Sequence, residues 1–276
     1  MSIDESMKNA KAGIAIIGEV IKAAGENPQV REAGQQLGQT ALTLTKTINN
    51  ALIPLAAVNF AFEKARKYFA DKFPSDMAAK AAQIPAEQVI EPKASIAGPA
   101  LQGLAFSHEE ENLKEMYLNL LASAMDARVA SGAHPAFVEI VKQLSAEDAR
   151  LVRGALQSKA GIPIVELRLN LTEGRGWNLL HRHLLNMHDT ESKLPVEDPA
   201  VPAMVDNWIR LGLVAVDYNK HLSDESHYSW VENRPELKRC RETLEVDGKK
   251  VVFQKGLLVR TALGERFGTI VGLFEA

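Results

Sequence analysis

Apolar residues recur early in the chain at alternating steps of four and three: Leu37, Ala41, Leu44, Ile48, Ala51, Leu55, Val58 and Phe62. That spacing puts them on one helical stripe, with Thr40, Thr43, Thr47 and Asn50 off it. An earlier segment repeats the pattern with Ala10, Ile14, Ile17, Ile21 and Ala24, and Glu26-Asn27-Pro28 separates the two. The pattern predicts an N-terminal amphipathic helical arm over residues 1–72, bent at Pro54, whose ring removes a backbone donor. From 73 to 103 the spacing is interrupted by Pro74, Pro85, Pro92 and Pro99, which predicts a linker holding short helices.

Periodicity then resumes. Ser107 and Glu110 have the spacing of a capping box ahead of a helix whose inner face carries Leu113, Tyr117, Leu120 and Ala124 and which ends at Ser131-Gly132. His134-Pro135 opens a second helix with Phe137, Ile140, Val141 and Leu144 inward; Ser145 and Asp148 cap a third bearing Val152 and Leu156. A helical core over 104–144 follows from these. Beyond it the period shortens to that of strands. Ile162 to Leu169 is β-branched and apolar, and Lys249 to Thr261 reads as strand, turn, strand. Val201 to Leu211 between them is helical with Met204, Val205 and Trp208 inward, ending at Gly212, and Leu213 to Val216 is extended.

Two resemblances follow. The order of elements over 145–276, with WIRLGLVAV, a hairpin and TALGERFGTIVG, resembles a winged helix. The fold expectation is therefore a mainly α protein: an N-terminal amphipathic helical arm, a helical bundle and a C-terminal winged-helix-like α+β module. More specifically, the strings NLLASAMD, HPAFVEIVKQLS and SAEDA, between Lys80 and Leu156, closely resemble the abortive-infection alpha family of bacterial proteins, with softer likeness at NNALIPL and TALGERFG. The resemblance implies a role in phage defence and brings no catalytic residues with it.

Composition narrows the functional classes. At 46% apolar but 6% aromatic residues, the core is made of Ala, Leu, Ile and Val rather than rings. A net charge of -3 gives no general attraction to nucleic acid or anionic lipid. The single cysteine, Cys240, precludes an internal disulfide, and the start at Met1 has no basic, apolar secretion signal. Residues 47–62 carry no charge but include three Asn and a Pro and are short of the roughly 20 apolar residues a spanning helix needs. A cytoplasmic protein, at most peripheral to the inner face of the membrane, is expected.

Candidate chemistry is sparse. No phosphate-binding loop, nucleophile elbow or H-E-x-x-H pair is present. His181, His183 and His188 lie close in sequence, but on a helix His181 and His188 would be about 10 Å apart, too far to share a metal ion. His134 reads as a helix cap, Glu109 to Glu111 as carboxylates at a helix start, and Cys240 as a thiol without a base. No cofactor is implied. The interaction features are Gly34 and Gly38 in a G-x-x-x-G, the stripe residues Leu44, Ile48, Leu55 and Phe62, and the aromatics Tyr68, Phe69 and Phe73 interleaved with Lys64, Arg66, Lys67 and Lys72. They lead to a non-enzymatic anti-phage protein that works by helix-mediated self-association as a homo-oligomer, or by binding a phage or host trigger protein, with the membrane surface as a further partner. The alternative is a nucleic-acid-binding regulator using a basic wing, with Arg239, Arg241, Lys249 and Lys250 as its contacts.

Overall fold

The computed structural model describes residues 59–172 and 176–274. The chain divides into two units, one formed by the residues up to Arg150 together with those from Arg266 onward, the other by Leu151–Glu265. This grouping differs from sequence boundaries at 72, 103 and 144.

The first unit is helical. It contains α1 (Asn59–Asp71), α2 (Phe73–Ala81), a 3-10 turn at Ala86–Gln88, α3 (Ala94–Ser107), α4 (Glu111–Met125) and α5 (Pro135–Lys142). The unit boundary falls within α6 (Ala146–Gln157) and again within α9 (Ala262–Ile270). The last residues of the segment assigned to the N-terminal arm pack into this bundle, together with the start of α2: Ala65, Tyr68, Phe69 and Phe73 are all buried. The rings of Phe69 and Phe73 meet edge-on at 5.2 Å, and Tyr68 stacks on His108 at 4.9 Å. Each such buried ring contributes about 2–3 kcal/mol. Pro74 occupies the first turn of α2, where its missing donor costs nothing, whereas Pro99 lies inside α3.

The inner face foreseen for α4 is buried as expected, including Leu113, Tyr117, Leu120 and Ala124. Helices α3 and α4 approach so closely that a Cβ on Gly103 would stand 2.4 Å from the Tyr117 ring. Burial pushes the Tyr117 phenol well above its ordinary pKa. The capping box at Ser107 does not form, because α3 stays helical through Ser107 and leaves that hydroxyl at the wrong end. The other two caps hold. His134 Nδ1 accepts from the Ala136 amide at 3.1 Å, and Ser145 Oγ accepts from the Asp148 amide at 3.0 Å while the Asp148 carboxylate accepts from the Ser145 amide at 3.1 Å. The segment from 266 closes the bundle: Phe267 packs edge-on against Phe137 at 5.6 Å, Asn119 donates to the Val271 carbonyl at 3.1 Å and Ser123 to that of Ile270 at 2.9 Å.

The second unit overturns the mainly α expectation. Its strands β1 (Ile162–Asn170), β2 (Trp177–Leu185), β3 (Val214–Asp217) and β4 (Lys250–Arg260) form one antiparallel sheet in the order β2-β1-β4-β3. The protein is mixed α+β. The predicted hairpin over 249–261 is the single strand β4, which runs through the middle of the sheet. At Gly256, within that strand, the absent side chain makes room for Tyr218, whose ring carbon would lie 2.6 Å from a Cβ there. Val165, Leu167 and Leu169 alternate onto one face and pack against Tyr228, Trp230 and Val231 of a 3-10 segment (Glu225–Asn233) and against Leu237 and Cys240 of α8 (Pro235–Leu244). The remaining helix, α7 (Val201–Arg210), buries Val201, Val205 and Trp208.

Candidate functional site

The most constrained polar group of the second unit lies where β2 departs from regular pairing. Val165 pairs with Leu184, Leu167 with His181 and Arg168 with Leu179, so β2 spends two extra residues against β1. Extra residues of this kind form bulges that re-aim a side chain. One falls at His183, whose φ of 58° is in the left-handed region that non-glycine residues rarely occupy, and whose side chain is buried.

Three contacts hold it. The His183 amide donates to Tyr218 Oη at 3.1 Å, Tyr218 Oη lies 3.0 Å from His183 Nδ1, and His183 Nε2 lies 3.1 Å from Asp206 Oδ1 of α7. An ionised carboxylate only accepts, so Nε2 carries the proton and the Tyr218 hydroxyl donates to Nδ1. Burial, only partly opposed by Asp206, holds the His183 imidazole below its ordinary pKa, and burial likewise pushes Tyr218 up to about 12. Beside them the buried Glu166 accepts from Arg168 Nε at 2.7 Å and lies 3.7 Å from Arg182. Arg168 sits 3.9 Å above the ring of Trp177, and Gln254 joins the groups by donating to the Tyr218 carbonyl at 2.8 Å. Both His183 nitrogens and the Tyr218 hydroxyl are thus engaged, an arrangement that fixes the geometry of the bulge.

A helix would have set His181 and His188 two turns apart; His181 and His183 are on β2 and His188 follows it. Among the described residues no group of three His, Cys, Asp or Glu side chains is arranged to hold a metal ion. The basic residues assigned to a wing are also elsewhere. Arg239 and Arg241 are on α8, Lys250 begins β4 and Lys249 precedes it. Arg239 is bound by both carboxylate oxygens of Glu197, at 2.6 and 3.0 Å, and Arg241 by both of Glu232, at 2.5 and 3.2 Å. The Arg239 guanidinium holds Glu197 below the usual carboxylate range. Arg234 forms a buried pair with Glu236, Lys255 pairs with Glu225 and Arg260 with Glu265. Cys240 is buried, and that burial raises its thiol pKa despite the neighbouring Arg239.

Of the interaction residues, Gly34, Gly38, Leu44, Ile48 and Leu55 lie outside the described residues. Phe62 is in α1, and Phe69 is in the bundle core with 7% of its surface exposed. Among the described residues no helix is long and apolar enough to cross a membrane. One feature had no sequence signal: an open pocket of ≈ 590 Å³ in the second unit, lined by Trp208, Trp230, Met187 and Leu258 among others. Its residues come from six separated stretches of chain, so only the tertiary fold assembles it.

Fold and site together define a two-unit α+β protein. The chain belongs to the abortive infection alpha family, whose model matches residues 65–271 and so spans both units. Membership ties the protein to abortive infection, a form of phage defence. Neither the curated proteins nor the solved structures contain a match to it.

Proposed function

We infer that this is a phage-defence protein that acts without catalysis, through self-association driven by the apolar stripe from Leu37 to Phe62. The observation that carries this is continuity between sequence and fold: the stripe runs into α1, and α1 is anchored in the bundle by Tyr68 and Phe69. A stripe of eight apolar positions needs a partner to cover it. Burial of Tyr68, Phe69 and Phe73 supports a protein partner over a bilayer, because these rings are no longer on offer to lipid. The buried Cys240 thiol, its pKa raised, supports a mechanism based on binding. The nucleic-acid alternative is disfavoured by Glu197 and Glu232, which would repel phosphate from Arg239 and Arg241.

The test uses the full chain. Light scattering after gel filtration should show an oligomer for the unaltered protein and a smaller species for Ile48→Glu and Leu55→Glu, with phage protection lost in both. A monomeric unaltered protein, or variants that still protect as monomers, would defeat the reading.

A further inference from the structure

We propose that the pocket of the second unit is a binding site for a neutral, mostly apolar small molecule with one hydrogen-bonding end. This stands apart from the self-association reading and does not depend on it.

The pocket occupies ≈ 590 Å³, within the range of roughly 300 to 1,000 Å³ typical of small-molecule sites. Its lining residues include no Asp, Glu, Lys or Arg, in a chain where 24% of residues are charged. An ionised ligand would therefore lose its hydration with no countercharge in return. The walls are aromatic and aliphatic, set by Trp208, Trp230, Met187, Leu185, Ile162 and Leu258. The polar side chains among the aliphatic and aromatic ones, those of Asn186, Ser226, His227 and Ser229, belong to exposed residues and so lie toward the rim. Ser229 donates to the Ser226 carbonyl at 2.8 Å, which leaves its oxygen free to accept from a ligand. This division of an apolar body from a polar rim gives the ligand its orientation.

Gly154 is a second, independent pointer. It lies in the ninth of the twelve positions of α6, where glycine weakens a helix, yet a Cβ added there would meet no atom within 4 Å. Helix packing therefore does not demand glycine here. Gly154 does line the pocket, so a side chain at this position would enter the space a ligand needs.

The test is titration of the full chain with N-phenyl-1-naphthylamine, a neutral probe that brightens in apolar surroundings and accepts energy from excited indoles. A Trp177→Phe background leaves Trp208 and Trp230 as the only donors. The expected result is saturable one-to-one binding with quenching of tryptophan emission, and at least tenfold weaker binding of a naphthalene sulfonate. Gly154→Leu should weaken the neutral probe at least tenfold while its thermal midpoint stays at or above the parent's. Ser229→Trp, which blocks the mouth from the exposed rim, should do the same. Absence of saturable binding overturns the proposal, and so does a pocket already filled by another part of the chain or a second copy, which gives that same result. Equal affinity in both variants or for the sulfonate also overturns it.

Discussion

Tyr218→Phe removes one oxygen atom, and the bulge at His183 makes that deletion costly. The hydroxyl accepts the His183 amide at 3.1 Å and donates to Nδ1 at 3.0 Å. Each bond is worth about 1 kcal/mol net, and a buried amide left without a partner costs about 1–3 kcal/mol more. Water reaching the half-buried Tyr218 would offset part of this, so the expected loss is about 2–4 kcal/mol in urea unfolding at pH 8 with an unchanged slope. Asp206→Ala, which removes an exposed carboxylate, should cost under about 1 kcal/mol. The same site sets a pH dependence. Burial lowers the folded-state pKa of His183 below its unfolded value of about 6.5, so on acidification the unfolded chain takes up the proton first. Stability that is fully present above about pH 6.5 therefore drains as the pH falls towards the depressed folded value. His183→Asn, a residue that tolerates φ of 58°, should lose this component. The reasoning fails if Tyr218→Phe costs less than about 0.5 kcal/mol. It fails equally if the parent protein gains stability on acidification relative to His183→Asn.

Gly103→Ala drives a methyl into the Tyr117 ring and should destabilise by about 1–3 kcal/mol in thermal unfolding. Phe69→Ala should cost about 3–5 kcal/mol, which a residue on a free or lipid-facing arm would not, and urea melts of the full chain distinguish the two. Gly154→Ala should raise stability by about 0.5–1 kcal/mol in the same melts, since nothing opposes the added methyl. Cys240 should react with a disulfide reagent at pH 8 far more slowly in the folded protein than in urea, because the thiol is buried and its pKa raised.

Where a pattern is local, the sequence carries it. His134 and Ser145 cap their helices through atoms two or three residues away, and β1 and α7 lie where their periodicity puts them. Strand β2 was hidden because its two bulges break the alternation that marks a strand, and LLHRHLL then matches a helix as readily. Strand β4 reads in sequence as two strands and a turn, yet its one glycine, Gly256, serves the approach of Tyr218 within an unbroken strand. Charge was misread for a similar reason: Glu197 lies 42 residues from Arg239, and no local window shows that they meet. The His183 network joins residues 23 and 35 positions apart and left no trace in spacing.

Asn119 and Val271 meet across 152 residues, so the first unit cannot be finished until the whole second unit has left the ribosome. At about 5–20 residues per second that is a delay on the order of ten seconds. Until then Phe137 lacks the Phe267 ring that packs edge-on against it. A translation product cut short anywhere before residue 266 lacks the piece that seals the bundle, so synthesis stalled midway yields no intact first unit. Completion of the message is thus a condition of completing the first unit.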